Sequence, residues 1–146
     1  CFNETRTLQA ERVLEFVDDL KASTGDPDVL VVGDMNAYLE EDPIHALESG
    51  LTNLVTKWDN DPYSFNFFAM FAAPYIGRGL LDHAFATDSM AATVTHTAVW
   101  HVNADEPRHL DWCDVTYVAP GPYRSSDHDP VVIGLNLRRS GSGNPG

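Results

Sequence analysis

Positive charge is what this chain has least of. Lysine and arginine together number 9 against 22 aspartate and glutamate, a formal charge of −13. Such a surface repels polyanions over most of its area at low salt, so non-specific nucleic-acid binding by this chain alone is not expected. The acidity suits a solvated surface in a salty or extracellular setting, or carboxylates gathered for divalent cations. Cysteine is nearly absent. Cys1 and Cys113 are too few and too far apart for a zinc motif or a disulfide framework, which leaves at most one bridge. Long apolar runs are missing as well: no stretch of eighteen or more apolar residues occurs, and no charged-then-apolar leader. Neither a membrane span nor a visible signal peptide is therefore expected. The first residue is Cys1 rather than Met, and the chain is expected to be a piece of something longer.

What is present suits one domain. The 146 residues, 43% of them hydrophobic, are enough for a single core. Val13, Phe16, Val17 and Leu20, with Leu8 and Leu14 widening the stripe, predict a helix over residues 3–23. Gly25 and Pro27 end it. The continuous β-branched run Val29-Leu30-Val31-Val32 predicts a strand buried on both faces, and a helix feeding such a strand points to α/β layering. Asp42 as N-cap, Pro43 at the first helical position and Gly50 beyond the end predict a short helix. Residues 51–58 read as strand or loop. Residues 63–67 alternate aromatic and polar side chains like a half-buried strand, and residues 94–101 read as another strand. His96 and His101 read as surface or satisfied core histidines. Asn103 to Pro107 is a turn rich in oxygen ligands, either a secondary cation site or a solvated loop. Residues 110–118 read as extended. Residues 140–146, rich in Gly and Ser, read as a tail behind a domain spanning 1–139.

Three polar stations lie beside apolar segments. In Gly33-Asp34-Met35-Asn36 the polar pair sits at the carboxyl end of a strand, where ligands gather in layered α/β proteins. Alternation along an extended chain would point Asp34 and Asn36 to one side. A carboxylate beside a carboxamide can act as a base or metal ligand next to a neutral donor; an Asx turn leaving the strand is compatible with that. In Leu80-Leu81-Asp82-His83-Ala84-Phe85, an interior carboxylate needs a partner. His128 is the candidate, because a carboxylate on one ring nitrogen fixes the tautomer and raises the basicity of the other. Neighbouring His83 is the local alternative, and backbone amides are a third. In Ser125-Ser126-Asp127-His128-Asp129-Pro130, an imidazole lies between two carboxylates at the mouth of an apolar strand. The same tetrapeptide also suits a strand-entry turn whose Asp accepts backbone N–H bonds.

Taken together and in this order, the three stations resemble the endonuclease/exonuclease/phosphatase superfamily that includes DNase I. Within it they most resemble the secreted bacterial nucleases, whose wording is also suggested by residues 3–6, 63–65, 100–107 and 123–126. The likeness runs to about Leu137. It implies an α/β fold, half of a four-layered DNase I-like sandwich, with a mixed sheet and flanking helices. It implies metal-dependent hydrolysis of phosphodiester bonds in DNA or RNA by an extracellular enzyme. Asp34 would position or deprotonate the attacking water, and Asn36 would hold a non-bridging phosphate oxygen. His128 would be the general acid/base, oriented by Asp82. Asp127 would help bind the divalent ion, Mg²⁺ in the first instance, with Ca²⁺ or Mn²⁺ as alternatives. Arg124, by its place beside the motif rather than by the resemblance, would meet phosphate.

The resemblance covers only the C-terminal half of such a domain. The other half supplies a metal-binding glutamate, a nearby asparagine and a histidine that lies before the station matching Asp34. Here the first histidine is His45. The chain alone is accordingly expected to bind metal weakly and to have little or no activity. It is expected to partner the missing N-terminal half, or to homodimerise through an exposed sheet face. The rival functions are a phosphomonoesterase or phospholipid phosphodiesterase on the same scaffold, and a non-catalytic binding module.

Overall fold

The computed structural model describes residues 2–67, 77–106, 121 and 125–137. Helix α1 (Asn3–Thr24) forms where the apolar spacing places it, and Gly25 closes it in the left-handed conformation, its N–H donating to Lys21 O. The buried stripe differs from the expected one. It centres on Ala10 and Val17 with Val13 and Leu14 beside them, while Leu8 and Phe16 are 59% and 58% exposed. At 3.6 residues per turn Leu8 falls opposite Val17, and Phe16 lies more than a quarter-turn away from it. Strand β1 (Leu30–Asp34) follows. The expectation that it is buried on both faces is corrected: Val32 is 60% exposed.

Helix α2 (Asp42–Glu48) begins one residue earlier than predicted, with Glu41 as N-cap and no side-chain cap bond, so Asp42 is its first residue. Its Ile44 and Leu47 are buried against α1 and Phe85, each such side chain contributing about 1.5–3 kcal/mol. Strand β2 (Thr52–Asn53) leads directly into helix α3 (Leu54–Trp58), where a strand or loop was expected. The Asn53 side chain caps that helix, accepting from Val55 N and Thr56 N. Strands β3 (Phe65–Asn66) and β4 (Arg78–Gly79) form a small ladder. A Cβ at Gly79 would collide with the Tyr38 ring, which is why glycine belongs there. Strand β5 (Asp82–Ala86), helix α4 (Asp88–Ala91), and strands β6 (Val94–Val99) and β7 (Val131–Leu135) complete the described elements.

The sheet order is β1-β5-β2, with β3-β4 and β6-β7 as separate pairs, and every ladder among the described residues is antiparallel. Alternation along β5 sends Phe85 toward α1 and α2, and Ala84 and Ala86 toward the opposite core. That second core also takes Leu54 and Val55 of α3, Met90 of α4, Val99 of β6, and Val131 and Ile133 of β7. The α/β layering read from the sequence is thus present: helices, a sheet, then a second pair of strands. The layering brings the ends of β1, β5 and β7 together. Residues 110–118, the tail from residue 140, Cys1, Cys113 and Arg124 lie outside the described residues.

Candidate active site

Asp34 ends β1 and pairs in register with Asp82, which begins β5. Residues opposite each other in an antiparallel ladder project to the same face, so two carboxylates stand side by side at this end of the sheet. The strand stops at Asp34. Asn36 adopts φ 48° and donates its backbone N–H to Asp34 Oδ1 at 2.8 Å and its side-chain Nδ2 to Asp34 Oδ2 at 3.2 Å. The pair is therefore held by an Asx turn, and strand alternation does not extend to it. Both residues are exposed. Arg6 of α1 fixes the turn from behind, donating to Asn36 O and pairing with Glu41 at 3.2 Å.

Asp82 has the partner its sequence context demands. His128 Nδ1 lies 2.7 Å from Asp82 Oδ2, and the two side chains keep only 22% and 20% of their exposure. A carboxylate accepts, so Nδ1 carries hydrogen and Nε2 keeps its lone pair. Among the described residues no hydrogen bond to Nε2 is formed, and His128 lines a cleft of about 410 Å³. Asp82, His128, Trp100, Asn103, Ser125 and Ser126 are among the residues lining that cleft. His83, the alternative partner, is buried on the other face of β5, where its Nε2 meets Ala37 O at 2.9 Å. Burial holds its pKa below the ordinary value, against the opposing pull of that carbonyl.

Asp127 is half-buried, and among the described residues its carboxylate receives one bond, from Ser126 Oγ at 3.5 Å. Among the described residues no group of three or more His, Cys, Asp or Glu forms a ready metal cage. Such a donor set fits Mg²⁺, which binds through one or two carboxylates and keeps waters and substrate phosphates for the rest. In the Asn103 turn, Asn103 Oδ1 accepts from Ser125 N and the Asp105 carboxylate accepts from Tyr63 and Asn66, so these oxygens are engaged within the protein.

Four further residues support the site, and no sequence signal tied them to it. Asp129 is fully buried as a side chain; its Oδ1 accepts from Val102 N, Asn103 N and Ala104 N at 2.8–3.0 Å, and its Oδ2 meets His101 Nδ1 at 2.8 Å. The turn-forming role foreseen for an Asp in this motif thus belongs to Asp129, while His128 faces the cleft. Asn103 Nδ2 donates to His128 O at 2.8 Å and its Oδ1 accepts from Ser125 N at 3.1 Å, clamping both ends of the loop that carries Asp127. Ser64, wholly buried, accepts on Oγ from Leu81 N and Asp82 N. Its carbonyl accepts from Asp129 N at 2.8 Å, so one residue joins the strand of Asp82 to the neighbour of His128. Tyr63 stacks on His101 with ring centroids 4.0 Å apart and donates its hydroxyl to Asp105 at 2.7 Å. Burial, and then the hydrogen bond to Asp105, push the Tyr63 phenol up to about 12. Asp105 is held below the ordinary carboxylate range: burial works against this, but the bonds from Tyr63 and Asn66 outweigh it.

Two carboxylates on adjacent strands, a carboxylate-bonded imidazole and a carboxamide are residue types that suit phosphoester hydrolysis. The profile of the Endonuclease/Exonuclease/phosphatase family matches residues 2–128. The chain belongs to that family, whose members are hydrolases of the nuclease and phosphatase type. No curated protein and no solved structure matches it. No helix among the described residues is long and apolar enough to cross a membrane.

Proposed function

We propose that the chain is the C-terminal part of an extracellular, divalent-metal-dependent nuclease that hydrolyses phosphodiester bonds in DNA or RNA. The observation that carries this reading is the Asp82–His128 bond through Nδ1, in a pair that lines the cleft. Asp34, exposed beside Asp82, orients or deprotonates the attacking water. Asn36 retains a second Nδ2 hydrogen beyond the one given to Asp34, and offers it to a non-bridging oxygen. His128 Nε2 holds or moves the proton at the leaving oxygen, with Asp82 keeping its tautomer. Asp127 is the residue here that would hold Mg²⁺, or Ca²⁺ or Mn²⁺ in its place. Such an ion supplies charge neutralisation at the phosphoryl oxygens.

The likeness to the family supports a divided site, in which an N-terminal half joins this chain to complete the domain and supplies a metal-binding glutamate beside Asp127. Arg124 contributes a further phosphate contact in this proposal, and secretion is inferred from the likeness to secreted nucleases and the acidic surface.

The test is substrate class. The completed domain, assayed with Mg²⁺ on plasmid DNA, on RNA and on a chromogenic phosphomonoester, is expected to cleave the polymers and leave the monoester intact. Release of inorganic phosphate from the monoester, with the polymers untouched, would replace this reading by the phosphatase one.

A further inference from the structure

Among the described residues, Trp100 is the one large apolar side chain that is both substantially exposed, at 49%, and part of the wall of the cleft holding Asp82 and His128. Its place is set by backbone, because Trp100 N donates to Pro130 O at 2.9 Å, continuing the β6-β7 pairing to within two residues of His128. The other side chains of that cleft wall are short or polar: Ser125, Ser126, Asn103 and Asp129 among them. A flat aromatic surface left open to water is poor core design. It suits a planar ligand well.

We propose that Trp100 is a stacking platform for a nucleobase next to the scissile phosphate. The inference rests on the nucleic-acid reading above and deepens it by assigning a base subsite. The chain's charge gives it further reason. Sequence-independent binding ordinarily draws on Lys and Arg neutralising phosphates, and with 9 basic against 22 acidic residues this chain supplies little of that attraction. Stacking is the remaining sequence-tolerant source of affinity, since every base has a π-face. The subsite takes any base and discriminates against a sugar-phosphate chain that lacks one.

The experiment is equilibrium binding of the full chain, by fluorescence anisotropy at about 1 M salt, where the repulsion between the acidic surface and the probe's phosphates is screened to about 3 Å. The probes are a labelled thymidine tetranucleotide and a labelled tetramer of the same backbone without bases. The base-bearing probe is expected to bind about tenfold more tightly. Trp100→Ala is expected to bind both equally, and Trp100→Phe to keep most of the preference, with circular dichroism showing both variants folded. Equal binding of the two probes by the unsubstituted chain, or binding of neither, would overturn the proposal. So would a preference that survives Trp100→Ala, or an equal loss for both probes in that variant. Cleavage is not the readout, so failure to hydrolyse would count against the proposed function and leave this result standing.

Discussion

Asp34 and Asp82 stand opposite each other in the β1-β5 ladder, yet only Asp82 is bonded to an imidazole. Like charges directly opposite across a ladder destabilise a sheet by roughly 0.2–1 kcal/mol. The fold keeps both, one tied to His128 and one exposed to the solvent side. An arrangement that works against stability at the end of a strand is the kind of local conflict found at functional sites.

Removing the exposed charge is therefore expected to stabilise the chain while removing function. Asp34→Asn keeps an oxygen for the Asn36 N–H, so the Asx turn survives. Urea unfolding at low salt is expected to show a gain of up to about 1 kcal/mol. A loss of stability would show that the two carboxylates do not repel.

The Asp82–His128 bond fixes which ring nitrogen carries hydrogen. In ¹⁵N spectra of the neutral imidazole, the Nδ1–H tautomer is expected to dominate in the unsubstituted chain and to lose that dominance in Asp82→Ala. An unchanged tautomer would mean that something other than Asp82 orients the ring.

Asn103 holds both ends of the Ser125–His128 loop. Asn103→Ala removes the part-buried bonds to His128 O and Ser125 N, at a cost of about 0.5–1.5 kcal/mol each, measured by thermal or urea unfolding. Asp129→Ala, which frees three N–H groups and His101 together, is expected to cost more. The reverse order would contradict the arrangement of the clamp.

Stability is expected to fall at both ends of the pH scale for identifiable reasons. His83 binds its proton less readily folded than at its ordinary 6.5, so the unfolded chain takes up more protons as pH falls. Its contribution is complete above about 6.5 and declines with acid. Tyr63 moves the other way: its phenol ionises near 10.0 when unfolded and at about 12 in the fold. Its contribution is complete below 10.0 and is lost as pH rises toward about 12. Tyr63→Phe is expected to flatten the alkaline limb of a stability-against-pH curve, and an unaltered limb would refute the assignment.

Some of this was legible in the residues alone. Asp82 announces a partner because an interior carboxylate in an apolar segment cannot stay unpaired, and His128 follows from its own polar surroundings. Gly25 and the α1 spacing likewise mark a helix and its end. The supporting shell is a different matter. Asp129, Asn103 and Ser64 act on backbone groups distant in sequence, and a backbone N–H has no residue-specific signature. Helix α3 was hidden because five residues are too few to show a period; the one available cue was Asn53, a capping residue just before Leu54. Val32 looked like a core residue because β-branched runs carry no mark of which neighbour covers them.

The most direct measurement is plasmid nicking by this chain, with and without an N-terminal half of the domain, in Mg²⁺ and in EDTA. Nicking is expected only with both parts and Mg²⁺, and is expected to vanish in Asp34→Ala and His128→Ala. Nicking by the chain alone that EDTA abolishes would contradict the divided site. Nicking that persists in both variants would contradict the roles given to Asp34 and His128.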